Sequence, residues 1–289
     1  MIFSVIVPFL NEARYIKHCI DSLLNEDFDK NEYELIFVDN NSTDNSRKIV
    51  EQIPEIILLQ ENRKNVYAAR NKGLSVAKGE IIAFTDADCV VSKDWLTQIY
   101  NGMRNNDATI VLGKRCFPSK RSYLLRVFED YENAKVEYIL RNCSREHFFG
   151  FTNNMAVKAD AFKHLGFFSE LEVTGDTEFI QRCVSTYEDA KIVYLKEMRV
   201  THLEVTNAKV WVKKINIYGE HNAQVEKIRS GYKGVNCKVR LRIYMYCVKK
   251  NRYTLGRAII FIFLALVGDL SYLVGKIKGY FKFRNYQAE

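Results

Sequence analysis

The sequence predicts an α/β domain with a mostly parallel sheet flanked by helices, followed by a basic, helical carboxyl-terminal region. Three observations predict it. Short β-branched apolar runs alternate with stretches of helical apolar spacing over the first hundred residues, the pattern of parallel strands with helices on both faces. Acids follow directly on two of those runs: Asp39 after Leu35-Ile36-Phe37-Val38, and Asp86-Ala87-Asp88 after Ile81-Ile82-Ala83-Phe84-Thr85. The charge balance also breaks near residue 206, with 17 Lys and Arg against 4 Asp and Glu from there to the end (+13) and a balance of −5 before it.

Phe3-Ser4-Val5-Ile6-Val7-Pro8 reads as the first strand. Phe9-Leu10-Asn11-Glu12 is the loop after it, and Tyr15, Ile16, Cys19, Ile20, Leu23 and Leu24 give the apolar face of a helix. The strand ending at Asp39 leads into Asn40-Asn41-Ser42-Thr43-Asp44, rich in helix-capping oxygens, and then a helix through Ile49. Glu55 to Leu59 forms the next strand, followed by Asn65-Val66-Tyr67-Ala68-Ala69-Arg70-Asn71-Lys72-Gly73. In an open sheet of this kind ligands bind beyond the carboxyl ends of the strands, where Asp39, Asp86 and Asp88 are expected to converge. Two carboxylates one residue apart at such a place suit a hard divalent cation whose shell substrate phosphates complete. An isolated Asp-x-Asp is more often a solvated turn; the surrounding strand-loop-helix units tip the balance.

Farther on, Phe149 to Ala156 is strand-like, and Leu165-Gly166-Phe167-Phe168-Ser169-Glu170 reads as a turn. Thr174 or Asp176 is placed to cap a helix with Phe179, Ile180 and Cys183 on its inner face. Lys191 to Leu195 and Met198 to Thr201 are strand-like and run into His202.

Val5-Ile6-Val7-Pro8 with Asn11-Glu12, Val38 to Asp44, Ala69 to Gly73 and Thr85 to Asp88 together resemble the family 2 glycosyltransferases over about residues 3 to 205. The resemblance implies a GT-A type fold, with a Rossmann-like sheet, and an inverting transferase that takes its sugar from a nucleoside-diphosphate donor, most often a UDP-sugar. It implies residues 1–110 as the nucleotide-sugar half of the domain and 111–205 as the acceptor-binding half; 206–289, beyond the resemblance, is expected from its charge and apolar stretch to be a helical, membrane-associated region. Pro8, Glu12, Asp39, Arg70, Asp86 and Asp88 then line the donor. Asp39 holds the base or, as the plainer alternative, caps the next helix. Asp88 is the direct metal ligand, Asp86 contacts the ribose or a metal-bound water, and His202 is a candidate third ligand. Mn²⁺ and Mg²⁺ both fit oxygen ligands, and the sequence does not choose between them. Arg70 offers a planar fork to the diphosphate or holds Asp86. The family's usual Glu-Asp base motif has Gly175 in its first place here, so the base role falls to Asp176, with Glu178 in reserve. Phe151, Phe167 and Phe168 are either an apolar wall for a sugar ring or core.

Composition sets outer limits. A chain of 289 residues, 47% hydrophobic with three prolines, is long enough for a sizeable core and is not disordered. Seven cysteines without a Cys-x-x-Cys pair suggest reduced thiols and a catalytic domain in the cytoplasm. The amino terminus lacks a basic start and enters the first strand at once, unlike a signal peptide. The basic tail points to an anionic surface. Its apolar stretch from Ala258 to Val267 favours the cytoplasmic face of a membrane over nucleic acid.

That stretch contributes about −2.4 to −4.8 kcal/mol for its large apolar side chains, and a central Asp269 costs roughly 2.5 to 3.5. The terms nearly cancel. The expectation is a helix in the interface, or a shallow hairpin with Tyr253, Tyr272 and Lys276 at the headgroups. A spanning helix and a helix packed on the catalytic domain are the alternatives. Trp211, Ile215 and Tyr218 suggest an amphipathic helix closing over the active site. Tyr244, Tyr246, Lys249 and Arg252 suit a polyprenyl-pyrophosphate-linked glycan acceptor. A sugar nucleotidyltransferase would carry a glycine-rich loop after the first strand, and residues 8–12 contain no glycine; a non-catalytic nucleotide-sugar-binding scaffold is the third reading.

Overall fold

A computed structural model describes residues 1–118, 123–229 and 231–284. It divides into two compact units, Met1–Cys116 with Gly150–Glu204, and Phe117–Phe149 with Val205–Glu289.

The first unit holds an eight-stranded sheet among the described residues, with order β3-β2-β1-β4-β7-β6-β8-β5. Its strands are β1 Phe3–Phe9, β2 Tyr33–Asp39, β3 Ile56–Gln60, β4 Ile81–Thr85, β5 Cys89–Val91, β6 Ile110–Cys116, β7 Asn154–Lys158 and β8 Ile192–His202. Strands β3, β2, β1 and β4 are parallel, and every residue of β1, β2 and β4 is buried, as helices on both faces require. Pro8 sits in β1 beyond its last pair with β4, Ile6 with Phe84, where a missing N–H disturbs less of the ladder. The helices of this unit are α1 Ile16–Leu24, α2 Ser46–Glu51, α3 Val66–Leu74, α4 Trp95–Asn106, α6 Ala159–Leu165 and α7 Gly175–Thr186.

Strand β7 turns the sheet over, pairing antiparallel with β4 and β6. The two strand-like runs read between 191 and 201 are one strand, β8, which pairs with β6 across a register shift at Gly113/Lys114. Asn154, fully buried, joins this region: its side-chain NH₂ donates to the Lys114 and Met198 carbonyls, and its Oδ1 accepts from the Trp95 indole at 2.8 Å. Such a buried amide is stable only with its bonds made.

The second unit is helical: α5 Tyr123–Asn142, α8 Ala208–Ile228, α9 Cys237–Lys250 and α10 Leu255–Lys282. Residues 117–149, grouped from the sequence with the acceptor half, belong here instead. The reason is the aromatic face of α5. Phe128 stacks on Trp211 at 3.9 Å, and Tyr131 packs against Tyr244 and Phe261. Helical spacing shows that a face is apolar, not which partner covers it. Trp211 and Ile215 are buried, whereas Tyr218 is exposed.

Helix α10 is one continuous helix of 28 residues, about 42 Å at 1.5 Å per residue. The hairpin expected as one alternative is therefore absent from it. On its inner side Gly275 and Gly279 lie so close to the Asn216 and Glu220 carbonyls of α8 that a Cβ would collide with backbone. Asp269 is satisfied by Arg240 and the Tyr244 hydroxyl of α9. Its outer side exposes Leu255, Ile259, Phe263, Leu266, Leu270 and Leu273, and α9 adds Leu241 and Met245.

Candidate active site

The site is built at the carboxyl ends of β1, β2 and β4. After β1, Asn11 adopts a left-handed conformation (φ 58°) and its Oδ1 accepts from the Thr43 N–H at 2.7 Å. The Glu12 N–H donates to Ser46 Oγ and the Ala13 N–H to Asp44. These bonds stitch the loop after β1 to the loop after β2, which is what the run of Asn, Ser, Thr and Asp oxygens is for. Asp39, buried at the end of β2, accepts from the Ser42 N–H at 2.9 Å and faces Arg47 at 3.4 Å. Helix α2 starts after Asn45, so Asp39 does not cap it; it braces the loop.

Helix α3 is capped by Asn65, whose Oδ1 accepts from the Tyr67 and Ala68 N–H groups and whose amide reaches the Glu170 carbonyl. The cap sets Arg70 one turn into the helix, buried, with Nη2 on Asp86 Oδ1 at 2.7 Å. Asp86 remains partly exposed. Arg70 also lies over the Tyr67 ring, 5.1 Å from its centroid.

Asp88 points elsewhere. Strand β5 begins at the next residue and pairs Cys89 with His202 of β8, which brings His202 Nδ1 to 3.1 Å from Asp88 Oδ2. The ligating atoms of Asp88, Cys89 and His202 all lie within 4.8 Å of one another. Burial, with the charges of Asp88 and Asp86, pushes the Cys89 thiol well above its ordinary range, so it stays protonated. The usable donors are one carboxylate and one imidazole. That set fits Mn²⁺ better than Mg²⁺ and leaves coordination positions for phosphate oxygens. Asp86, a metal candidate from sequence, stands outside this group and on Arg70. Burial, followed by the charges of Asp88, Asp86 and Glu12, likewise raises the Cys19 thiol.

Asp176 lies in the first turn of α7 and is buried. Its Oδ1 accepts from the Thr177 N–H at 2.7 Å and its Oδ2 from the Thr152 N–H at 3.1 Å. Thr174 occupies the cap position without a side-chain cap bond. Burial raises the Asp176 carboxyl from 3.8 to about 6, against the lowering effects of Arg70, the two N–H donors and Tyr67. Arg70 thus links the Asp86 end of the site to Asp176.

Glu178, the reserve base, is fully enclosed and accepts from Ser169 Oγ at 2.7 Å and Arg182 at 3.0 Å. Arg182 in turn holds the Leu165 and Phe167 carbonyls. The pair shapes the turn before Asp176. Phe168 belongs to an aromatic core with Phe84, Phe162 and Phe179, so it forms no sugar-facing wall; Phe151 lies under Arg115 at 4.2 Å and only Phe167 of the three is exposed. Sequence reading missed Thr152, Cys89 and the placement of Tyr67. Of these, only the polarity of Thr152 inside a strand-like run was a signal.

The model of the family described as "Glycosyl transferase family 2" matches residues 4–166, more than half of the chain. The chain belongs to that family. It is 28% identical over 189 residues to glycosyltransferase AglE of Haloferax volcanii, covering 62% of this chain and 60% of AglE. It is 30% identical over 142 residues to the poly(ribitol-phosphate) β-N-acetylglucosaminyltransferase TarP of Staphylococcus aureus, covering 47% of this chain and 43% of TarP. The matches therefore span about half the length of these relatives. Among solved structures, the mannosyltransferase PcManGT of Pyrobaculum calidifontis, in complex with GDP-Man and Mn²⁺, superposes with TM-score 0.67 at 17% identity over 97% of this chain and 87% of that one. S. aureus TarS 1-349 in complex with UDP-GlcNAc gives 0.59 at 18% identity over 100% and 93%. These likenesses establish the GT-A fold.

Proposed function

We propose that this family 2 glycosyltransferase catalyses an inverting, metal-dependent transfer from a nucleoside-diphosphate sugar, most simply a UDP-sugar, to a hydroxyl of a glycan or polyprenyl-linked acceptor in surface polysaccharide or glycoconjugate synthesis. The observation that carries the reading is the division of labour among the acids: Asp88 beside His202, Asp86 on Arg70, and Asp176 buried with a carboxyl held near neutrality.

Asp88 and His202 would hold the cation, which when bound neutralises charge developing on the diphosphate leaving group. Arg70 places a fixed positive charge beside the donor side of the site and keeps Asp86 aimed at the ribose. Asp39, with Pro8 near the end of β1 and Glu12 on the loop after it, borders the place for the base. Asp176 takes the proton from the acceptor hydroxyl as it attacks the anomeric carbon opposite the leaving group, and the sugar passes through an oxocarbenium-like state. A carboxyl at about 6 is ionised at pH 7 yet basic enough for that role.

The second unit supports work at the cytoplasmic face of a membrane. The outer stripe of α10 is apolar, while its inner side is tied to α8 through ion pairs Lys276–Glu226 and Lys282–Glu220. A spanning α10 would carry Asp269 and its partner Arg240 into hydrocarbon, so we favour a helix lying in the interface, with the basic residues of the region on anionic headgroups.

Purified protein is expected to release UDP slowly from a UDP-sugar with Mn²⁺, and Asp88→Ala and Asp176→Ala to abolish release. Full activity in either variant contradicts the assignment. Flotation with phosphatidylserine vesicles, lost in Leu266→Lys/Leu270→Lys, tests the membrane part; unchanged flotation contradicts it.

A further inference from the structure

Gly175 precedes the base, and the space a side chain would need there is occupied. A Cβ on Gly175 would lie 2.9 Å from Cγ of Tyr67 and 2.6 Å from the Ser169 carbonyl. Tyr67 itself is buried. Its backbone N–H is fixed by the Asn65 cap at 2.7 Å, and its hydroxyl donates to the Val173 carbonyl at 2.7 Å. Its ring packs against Phe168, at 5.6 Å between centroids, on the turn that leads to the base. The same ring carries the Arg70 guanidinium, which continues to Asp86. One side chain therefore touches the loop at 173, the backbone at 175 and the arginine that holds the first acid of the Asp86-Ala87-Asp88 motif.

We propose that Tyr67 is a positioning residue for the base: its ring fills the place of a side chain at 175 and its hydroxyl anchors the 173 carbonyl, so that helix α3 sets where the Asp176 carboxylate points. The proposal rests on the reading of Asp176 as the base. The physical argument is one of alignment. Two backbone donors, Thr152 and Thr177, grip the Asp176 oxygens, and the backbone that carries Asp176 enters α7 through residues 173–175. Tyr67 anchors that entry from a different helix, through the Val173 carbonyl. Because the hydroxyl acts on the loop before the base, while the ring also supports Arg70, loss of the hydroxyl alone lowers turnover without weakening donor binding. A displacement of about 1 Å costs up to about a hundredfold in rate.

The test uses the full chain with Mn²⁺ and whichever of UDP-glucose, UDP-N-acetylglucosamine and GDP-mannose raises its melting temperature most, following nucleoside diphosphate release. Tyr67→Phe removes only the hydroxyl and keeps the ring. It is expected to lower kcat about tenfold with KM for the donor, and the donor-induced rise in melting temperature, unchanged. Tyr67→Leu, which also removes the ring beneath Arg70, is expected to lower kcat about a hundredfold and to reduce the donor response as well. A Tyr67→Phe kcat within twofold of the parent, or a raised donor KM at unchanged kcat, overturns the proposal. Asp176→Asn separates the two levels: if it keeps full activity, the base assignment fails; if it is inactive while Tyr67→Phe is normal, only the role of Tyr67 fails.

Discussion

The ionisation of Asp176 gives the sharpest prediction, because on the proposed reading one buried carboxyl governs both rate and stability. Its carboxyl stands at about 6 rather than 3.8, chiefly through burial. As a base it works only when ionised, so the ionised fraction is about nine-tenths at pH 7 and about one-tenth at pH 5. The acid limb of kcat/KM is expected to have its midpoint near pH 6 and to fall about tenfold per unit below it. Asp176→Asn is expected to lose about 10²- to 10⁴-fold.

The same burial affects folding with a defined sign. The folded state keeps a proton that the unfolded chain releases near 3.8, so stability is highest below that value and declines as pH rises toward 6. The loss is on the order of 3 kcal/mol and is complete above about pH 7. In Asp176→Asn the contribution is absent. Urea unfolding at pH 4.5 and 7.5 is the assay: the unfolding free energy of the parent, relative to the variant, is expected to be lower at the higher pH. An acid limb near pH 4, together with a parent-minus-variant difference that does not change with pH, would show that the carboxyl is not enclosed as described.

Three further outcomes are expected. Arg70→Ala leaves Asp86 without its 2.7 Å partner and removes a positive charge acting on Asp176, so the acid limb should move above pH 6 and the melting temperature fall; an unmoved limb contradicts the link. His202→Ala should weaken Mn²⁺ binding about 10- to 100-fold, read as the Mn²⁺ concentration needed for half-maximal thermal stabilisation by UDP; unchanged Mn²⁺ dependence removes His202 from the ligand set. Glu26, buried where it accepts from the Leu96 N–H at the start of α4, is raised to about 8 by burial. Its folded value exceeds the unfolded one, so the parent loses stability relative to Glu26→Gln as pH rises from about 4.5 to 8; a difference that grows with pH reverses the reading.

Most of the first hundred residues were legible in the chain because they are made of local signals. β-Branched runs that are buried on both faces gave β1, β2 and β4, and the acids that follow them marked the sheet edge. The Asn65 cap fixed where α3 begins. The region from 110 to 149 was not legible, because the partners of an amphipathic helix such as α5 lie more than eighty residues away, at Trp211 and Tyr244. The pairing of Asp88 with His202 depends on a three-residue strand, β5, meeting the end of β8, a contact with no sequence period to announce it. Phe167 and Phe168 are adjacent and chemically alike, yet one is exposed and the other core; only the turn that Arg182 shapes decides between them.

A structure of the protein with UDP, located by the anomalous scattering of Mn²⁺, is the most direct test of the central claim. The expected result is one strong Mn²⁺ peak held by Asp88 and His202, with the Asp176 carboxylate facing the position of the anomeric carbon. Mn²⁺ held by other residues, or an Asp176 turned away from the bound nucleotide, would contradict it.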